Sequence, residues 1–210
     1  KGYIFKTKTD TEVILAAYDY YGDDCVNEFN GMWAFVIYDK IKNILFCSRD
    51  RFGVKPFYYS FLNGKFVFSS EIKPIINMFS EIKVNKKILM DYLLINLTDH
   101  TEETFFENIK VLRGSHILKL NLNDNSYEKK VYYDIKFKPE INKLTIEQSI
   151  ALYQEEFDRA VGWRMRSDVK VGTCLSGGLD SSYIAAVASE KYKKESDGKF
   201  NAITAESLQP

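Results

Sequence analysis

A short apolar strand that runs into a glycine- and serine-bearing turn constrains this chain more than any other feature. Val169 to Leu175 reads as the strand, Ser176-Gly177-Gly178-Leu179-Asp180-Ser181-Ser182 as the turn, Tyr183 to Ser189 as an Ala-rich helix, and Phe200 to Ala205 as the next strand. That order predicts a βαβ unit whose turn lies at the C-terminal end of a parallel strand, where open α/β sheets bind ligands. One such unit is not a whole doubly wound sheet, so the region is expected to be the first part of one. The turn suits a phosphate. Two glycines allow close approach of backbone amides, hydroxyls at Ser176, Ser181 and Ser182 can donate, and the helix N-terminus adds a partial positive charge. Asp180 would repel phosphate unless a cation intervened, which makes it a candidate Mg2+ ligand, direct or through water.

Two rival motifs fail on inspection. A Walker A loop needs a Lys after its final Gly, and the stretch from Ser176 to Ser182 contains none. A nucleophile elbow needs Gly two residues before the Ser, where this chain has Cys174.

Composition narrows the class of partner. Lys+Arg and Asp+Glu are each 29, and only six of the basic residues are Arg, the side chain favoured for bidentate phosphate and guanine contacts. A nucleic-acid or anionic-membrane partner is therefore not expected. No apolar run approaches the roughly 18 residues of a membrane span, and the first ten residues lack signal-peptide grammar, so the cytoplasm is the expected compartment. Three cysteines without a CxxC pair and two histidines predict neither a disulfide framework nor a zinc site. Cys47 and Cys174 read as inert core thiols, Cys25 as a surface or helix-end residue. His100 and His116 are too isolated for a catalytic role.

Upstream, Thr9-x-x-Glu12 reads as a capping box opening a helix through Tyr21. Met32 to Tyr38 with Ile44 to Cys47 predicts one hairpin, and Phe57 to Leu62, Asn63-Gly64 and Lys65 to Phe68 predict a second, together an antiparallel meander over 31–69. Helices are expected at Glu71 to Phe79 and Lys86 to Leu97, and strands at Phe105 to Ile109 and Ile117 to Leu120. Thr145-x-x-Gln148 is another capping box, leading an amphipathic helix that reaches about Arg166. With 210 residues the chain amounts to about 1.4 domains at roughly 150 residues each. The expected organisation is one domain over 1–125, a linker over 126–144 and a second domain over 145–210.

Arg166 to Leu175 followed by SGGLDSS resembles the pyrophosphate loop of the glutamine-hydrolysing asparagine synthetase family, within the wider group of ATP pyrophosphatases. DTEVIL (Asp10 to Leu15), NGMWAFVIYD (Asn30 to Asp39), RDRFGVKPFYY (Arg49 to Tyr59) and SSEIK (Ser69 to Lys73) resemble the later part of that family's glutaminase domain. The resemblance implies an α+β fold followed by an α/β fold. The first is the C-terminal part of an N-terminal-nucleophile αββα glutaminase sandwich, and the second is the first βαβ unit of a doubly wound ATP-pyrophosphatase sheet. It further implies ATP and Mg2+ as cofactors, glutamine and aspartate as co-substrates, and allows a homodimer of the complete protein.

By position, the resemblance gives Asp10 the role of holding the α-amino group of glutamine. If Thr9 is the cap, Asp10 is the first helical residue and its side chain is free for a ligand; if Asp10 is itself the cap, that role weakens. Ser176, Gly177, Gly178, Asp180, Ser181 and Ser182 become pyrophosphate binders, with Leu175 and Ala205 beside the nucleotide. Arg49, Asp50 and Arg51 read as scaffold charges that pair with each other or face a domain interface, and Asn30-Gly31 as a turn. The family's nucleophilic Cys precedes Lys1 and its aspartate-binding residues follow Pro210. The 210 residues as given are therefore expected to hydrolyse no glutamine and make no asparagine. Two alternatives stay open: an amidotransferase or cyclase acting on another carboxylate, and a non-catalytic fragment, in which Asp180→Ala would change stability more than ATP affinity.

Overall fold

A computed structural model describes residues 2–195 and 198–206. The chain divides into two compact units, Lys1–Ile135 and Lys136–Pro210. In the first, helix α1 (Asp10–Tyr21) and a 3₁₀ helix (Gly22–Asn27) precede strands β1 (Ala34–Asp39), β2 (Ile44–Arg49), β3 (Tyr58–Leu62) and β4 (Lys65–Ser69). Helices α2 (Ile72–Ile76) and α3 (Lys86–Ile95) lead to β5 (Lys110–Val111), β6 (His116–Asn121) and β7 (Tyr127–Val131). The second unit holds a 3₁₀ helix (Pro139–Lys143), α4 (Ile146–Arg164), β8 (Gly172–Cys174), α5 (Leu179–Glu195) and β9 (Asn201–Ile203).

Both hairpins form, and at Asn63-Gly64 both residues take positive φ (49° and 74°), as the type I′ turn requires. They do not make one meander. β1 and β2 belong to a sheet ordered β1-β2-β6-β7, whereas β3 and β4 belong to another ordered β4-β3-β5. The reason is period-two burial on both faces of β2. Phe46 joins Tyr18, Ile37 and Ile117 in a core under α1, while Cys47 faces Phe57, Tyr59, Leu112 and Leu118 between the sheets. On the far side α2 packs on β3 and β4 with Ile75 buried. The layers of this unit are thus helix, sheet, sheet, helix.

Several expectations need correction. The helix expected over 71–79 keeps only five α-helical residues, because the amides of Met78 and Phe79 close tighter bonds three residues back, to Ile75 O and Ile76 O. Phe105 to Ile109 is not a strand: Phe106 makes one isolated bridge to Val84, and pairing with β3 begins at Lys110. Tyr127–Val131, expected in the linker, pairs with β6, so the first unit extends ten residues past the expected boundary at 125. Cys25 is fully buried rather than superficial, since the 3₁₀ helix turns it into the core beside Trp33 and Ile117. Among the described residues no helix is long and apolar enough to cross a membrane.

Gly114 shows how tightly β6 meets the loop after β2. A Cβ there would lie 2.7 Å from Gly53 N, 3.0 Å from Phe52 C and 3.1 Å from Arg51 O, all backbone atoms. Gly114→Ala is expected to destabilise the protein by about 1–3 kcal/mol, as overpacking does. Gly31→Ala, with nothing within 4 Å of its Cβ, should cost far less, and paired urea melts compare the two.

Candidate functional site

The turn expected to bind phosphate sits where the sequence places it. β8 and β9 pair in parallel, with Cys174 opposite Ile203, and Leu175 N donates to Ile203 O at 2.8 Å. The helix begins earlier than expected, at Leu179, so Asp180, Ser181 and Ser182 occupy its first turn and the turn proper is Leu175 to Gly178. Gly177 has φ +84° with nothing within 4 Å of its Cβ, so backbone conformation, not space, demands glycine there. The Ser182 amide is the first to close the helical ladder, onto Gly178 O at 3.1 Å. The amides of Leu179, Asp180 and Ser181 precede it in the first turn of a 17-residue helix, at the positive end of its dipole.

The three hydroxyls differ in role. Ser181 Oγ accepts from Ser176 N at 3.2 Å and donates to Gly178 O at 3.1 Å. The Ser176 hydroxyl lies 2.9 Å from it, and either oxygen of that pair can be the donor. Ser181 thus braces the turn from within. Ser182 and Asp180 are exposed, and among the described residues no hydrogen bond or ion pair engages the Asp180 carboxylate. Ala205 follows β9 by two residues, and because the strands are parallel it lies at the same end of the sheet as Leu175. Cys174 is exposed, contrary to its reading as a core thiol, because among the described residues β8 has a strand partner on one edge only.

Among the described residues no group of three or more His, Cys, Asp or Glu side chains could hold a metal ion. A single carboxylate at a glycine-bearing helix start has the donor chemistry that Mg2+ takes, since that ion keeps several waters and uses one or two carboxylates together with phosphate oxygens.

In the first unit, Thr9 caps α1 by backbone conformation (φ −92°, ψ 144°) without a side-chain bond, so the expected capping box does not form. Glu12 instead reaches further back, accepting from Lys6 N at 2.8 Å and Thr7 N at 2.6 Å. The Lys6 amide and the Thr7 hydroxyl hold its carboxyl below the usual range. Asp10 is consequently the first helical residue, with an exposed side chain. It lines a cleft of about 340 Å³ in which Asp10, Val13 and Ile14 face the segment from Glu28 to Trp33. Asn30-Gly31 forms part of that wall.

The charges after β2 are scaffold, but they bond to backbone rather than to each other. Asp50, buried to 1% exposure, accepts from the amides of Trp33, Phe52, Val54 and Lys55 at 2.9–3.3 Å. Arg49 donates to the carbonyls of Lys55, Leu112 and Gly53 at 2.6–2.7 Å, and burial draws its pKa below the usual value. Arg51 donates to Phe29 O and, at 3.2 Å, to Asn27 O. Sequence reasoning did not connect these residues to the Asp10 cleft. The available signal was three charges and a glycine directly after an apolar strand. His100 lies 3.0 Å from Asp91 and His116 donates to Gly114 O at 2.7 Å; neither lines the cleft or the turn.

The thiols give a direct check on this arrangement. Burial pushes Cys25 up to about 11 and Cys47 up to about 12, so neither is a thiolate near neutrality. At pH 8 a thiol reagent is expected to label Cys174 alone of these three in the native protein, and all three after denaturation. Peptide mapping of the adducts reads this, and native labelling of Cys25 would contradict the buried 3₁₀ turn. The raised values mean that the folded state holds these protons more tightly. Their stabilisation is complete below the unfolded thiol pKa of about 8.5 and is lost as pH rises toward 11–12.

The chain matches two family models. The glutamine amidotransferase domain model matches residues 1–133 and the asparagine synthase model residues 152–207. It is 43% identical over 192 residues to putative asparagine synthetase [glutamine-hydrolyzing] 2 of Methanocaldococcus jannaschii, covering 88% of this chain and 36% of that protein. It is 37% identical over 193 residues to asparagine synthetase [glutamine-hydrolyzing] 1 of Bacillus subtilis, covering 90% and 29%. Amidase chry2 of Gibberella zeae is 32% identical over 192 residues, covering 90% and 28%. The chain thus spans about a third of the length of the curated relatives it matches. With a model that covers well over half its length, this chain belongs to the glutamine amidotransferase domain family, and behind that domain it continues into asparagine synthase sequence.

Proposed function

We propose that the protein is a glutamine-dependent asparagine synthetase. Glutamine is hydrolysed at the first unit, aspartate is adenylated by ATP at the second, and ammonia displaces AMP from the adenylate, giving asparagine, glutamate, AMP and diphosphate. One observation carries the reading. A glutamine amidotransferase match is followed, in that order, by an asparagine synthase match over a parallel strand-turn-helix unit with an exposed, glycine-bearing helix start. A carboxylate is a poor electrophile, and adenylation supplies its leaving group; the turn's amides and the Ser176 hydroxyl then hold the departing diphosphate.

On this reading Asp10 holds the ammonium group of glutamine within its cleft. Ser176, Gly177, Gly178, Asp180, Ser181 and Ser182 surround the diphosphate, and Leu175 and Ala205 border the nucleotide. Asp180 and the diphosphate oxygens would hold Mg2+, which supplies charge neutralisation for the leaving group. On this reading the protein works in the cytoplasm, on small-molecule substrates, and no step requires nucleic acid or membrane.

A second reading rests on the amidase-named relative, which aligns over the same span. In it the same turn activates a carboxylate other than aspartate. Diphosphate release by the complete gene product, assayed with ATP and single carboxylates, separates the two. Release that requires aspartate is expected. Release with another carboxylate and none with aspartate would transfer the assignment to the second reading.

A further inference from the structure

Arg51 is bound to the wall of the Asp10 cleft from behind. One guanidinium nitrogen donates to Phe29 O and another, at 3.2 Å, to Asn27 O, so a single planar fork fixes two carbonyls of the segment that leads into Asn30-Gly31. The guanidinium carbon lies 5.1 Å from the Tyr133 ring centroid and 5.9 Å from that of Trp33, within the range of cation–π attraction. Trp33 is itself tied down, through its ring nitrogen to Ser48 Oγ at 2.9 Å and through its amide to the buried Asp50. Phe29 packs edge-on against Trp33 with centroids 5.6 Å apart. At the other end, Arg51 O accepts from Ser115 Oγ at 2.7 Å, which anchors the residue to the start of the β6 region. The arginine therefore couples a sheet-anchored turn to one side of the cleft, a loop with no regular ladder of its own between the 3₁₀ helix and β1.

We propose that Arg51 is a positioning residue for the amino-acid substrate of the Asp10 cleft. It sets the carbonyls of Asn27 and Phe29, and through them the placement of the Phe29 to Gly31 wall opposite Asp10. The inference rests on the reading of that cleft as the glutamine site. Lysine keeps the charge but lacks the planar fork, so it can satisfy one of the two carbonyls and stacks poorly between the rings. A misplaced wall weakens substrate binding while the reacting groups, which lie elsewhere, keep their chemistry.

The test uses glutamine hydrolysis by the complete gene product, followed as glutamate formation, with Arg51→Met, Arg51→Lys and Asp10→Asn, and a thermal melt of each. Arg51→Met is expected to raise the KM for glutamine about tenfold with kcat changed by about twofold or less, and Arg51→Lys to raise it about threefold, the signature of lost binding rather than lost chemistry. A merely structural role would lower the melting temperature and kcat while leaving KM in place. If Asp10→Asn raises KM but both Arg51 variants leave it within about twofold of the parent, the positioning role is overturned and the glutamine reading stands. If Asp10→Asn leaves KM unchanged, the glutamine reading itself fails. Should Arg51→Met not fold, Arg51→Lys decides alone.

Discussion

Asp180→Ala is expected to reduce aspartate-dependent diphosphate release by about 10²–10³-fold in the complete gene product, the scale on which removing one preorganised electrostatic group acts. The carboxylate is exposed at the first turn of α5, and among the described residues nothing in the fold engages it. Its loss removes only a favourable charge at a helix N-terminus, so the melting temperature should fall by about 2 °C or less. Asp180→Asn, which keeps the shape and loses the charge, should behave like the alanine variant. The opposite pattern, a large drop in melting temperature with diphosphate release intact, would remove Asp180 from the nucleotide site, whereas a non-catalytic fragment predicts no release in the parent and a change in stability larger than that in ATP affinity.

Asp10→Asn is expected to raise the KM for glutamine on the order of 100-fold, because an amide cannot pair with an ammonium group as a carboxylate does. Synthesis of asparagine from free ammonia should be unchanged in the same variant. The structural basis is the position of Asp10 as the first residue of α1, with Thr9 as cap and Glu12 turned back to Lys6 and Thr7. Among the described residues no hydrogen bond or ion pair engages the Asp10 side chain, so its loss removes only a favourable charge at the helix start and a folding defect is not expected. Loss of ammonia-dependent and glutamine-dependent synthesis together would mean that the substitution damages the fold instead.

Most local signals are legible in the sequence, the Thr9–Glu12 box excepted, and partners distant along the chain are not. Asn63-Gly64, the Thr145–Gln148 capping box and the strand-turn-helix around Gly177 are each written within a few residues, and each forms. The meander failed because β2 finds its second neighbour in β6, about seventy positions on, and nothing local to Ile44 or Cys47 names that partner. Cys25 was misjudged for a related reason. Its neighbours Asp23 and Asp24 are charged, yet the 3₁₀ turn points the thiol inward. Cys174 was misjudged in the opposite sense, since an apolar strand is buried only when both its edges and faces are covered.

The candidate sites show the same division. All but one of the turn residues are contiguous, and Ala205 joins them only through the parallel pairing of β8 and β9. The Asp10 cleft requires α1 to lie against a segment twenty residues later, which no periodicity encodes; the resemblance pointed to Asp10 alone. Asp50 and Arg51 were rightly read as scaffold. That they organise the cleft wall could be seen only once their backbone partners were known.

The central claim is that one protein takes nitrogen from glutamine at the first unit and uses it at a carboxylate activated by the second. Incubating the complete gene product with ATP, aspartate and glutamine labelled with ¹⁵N at the side-chain amide tests this directly. The account predicts ¹⁵N in the amide of asparagine, formed in step with AMP and diphosphate. Unlabelled or absent asparagine, or ADP and phosphate in place of AMP and diphosphate, would contradict it.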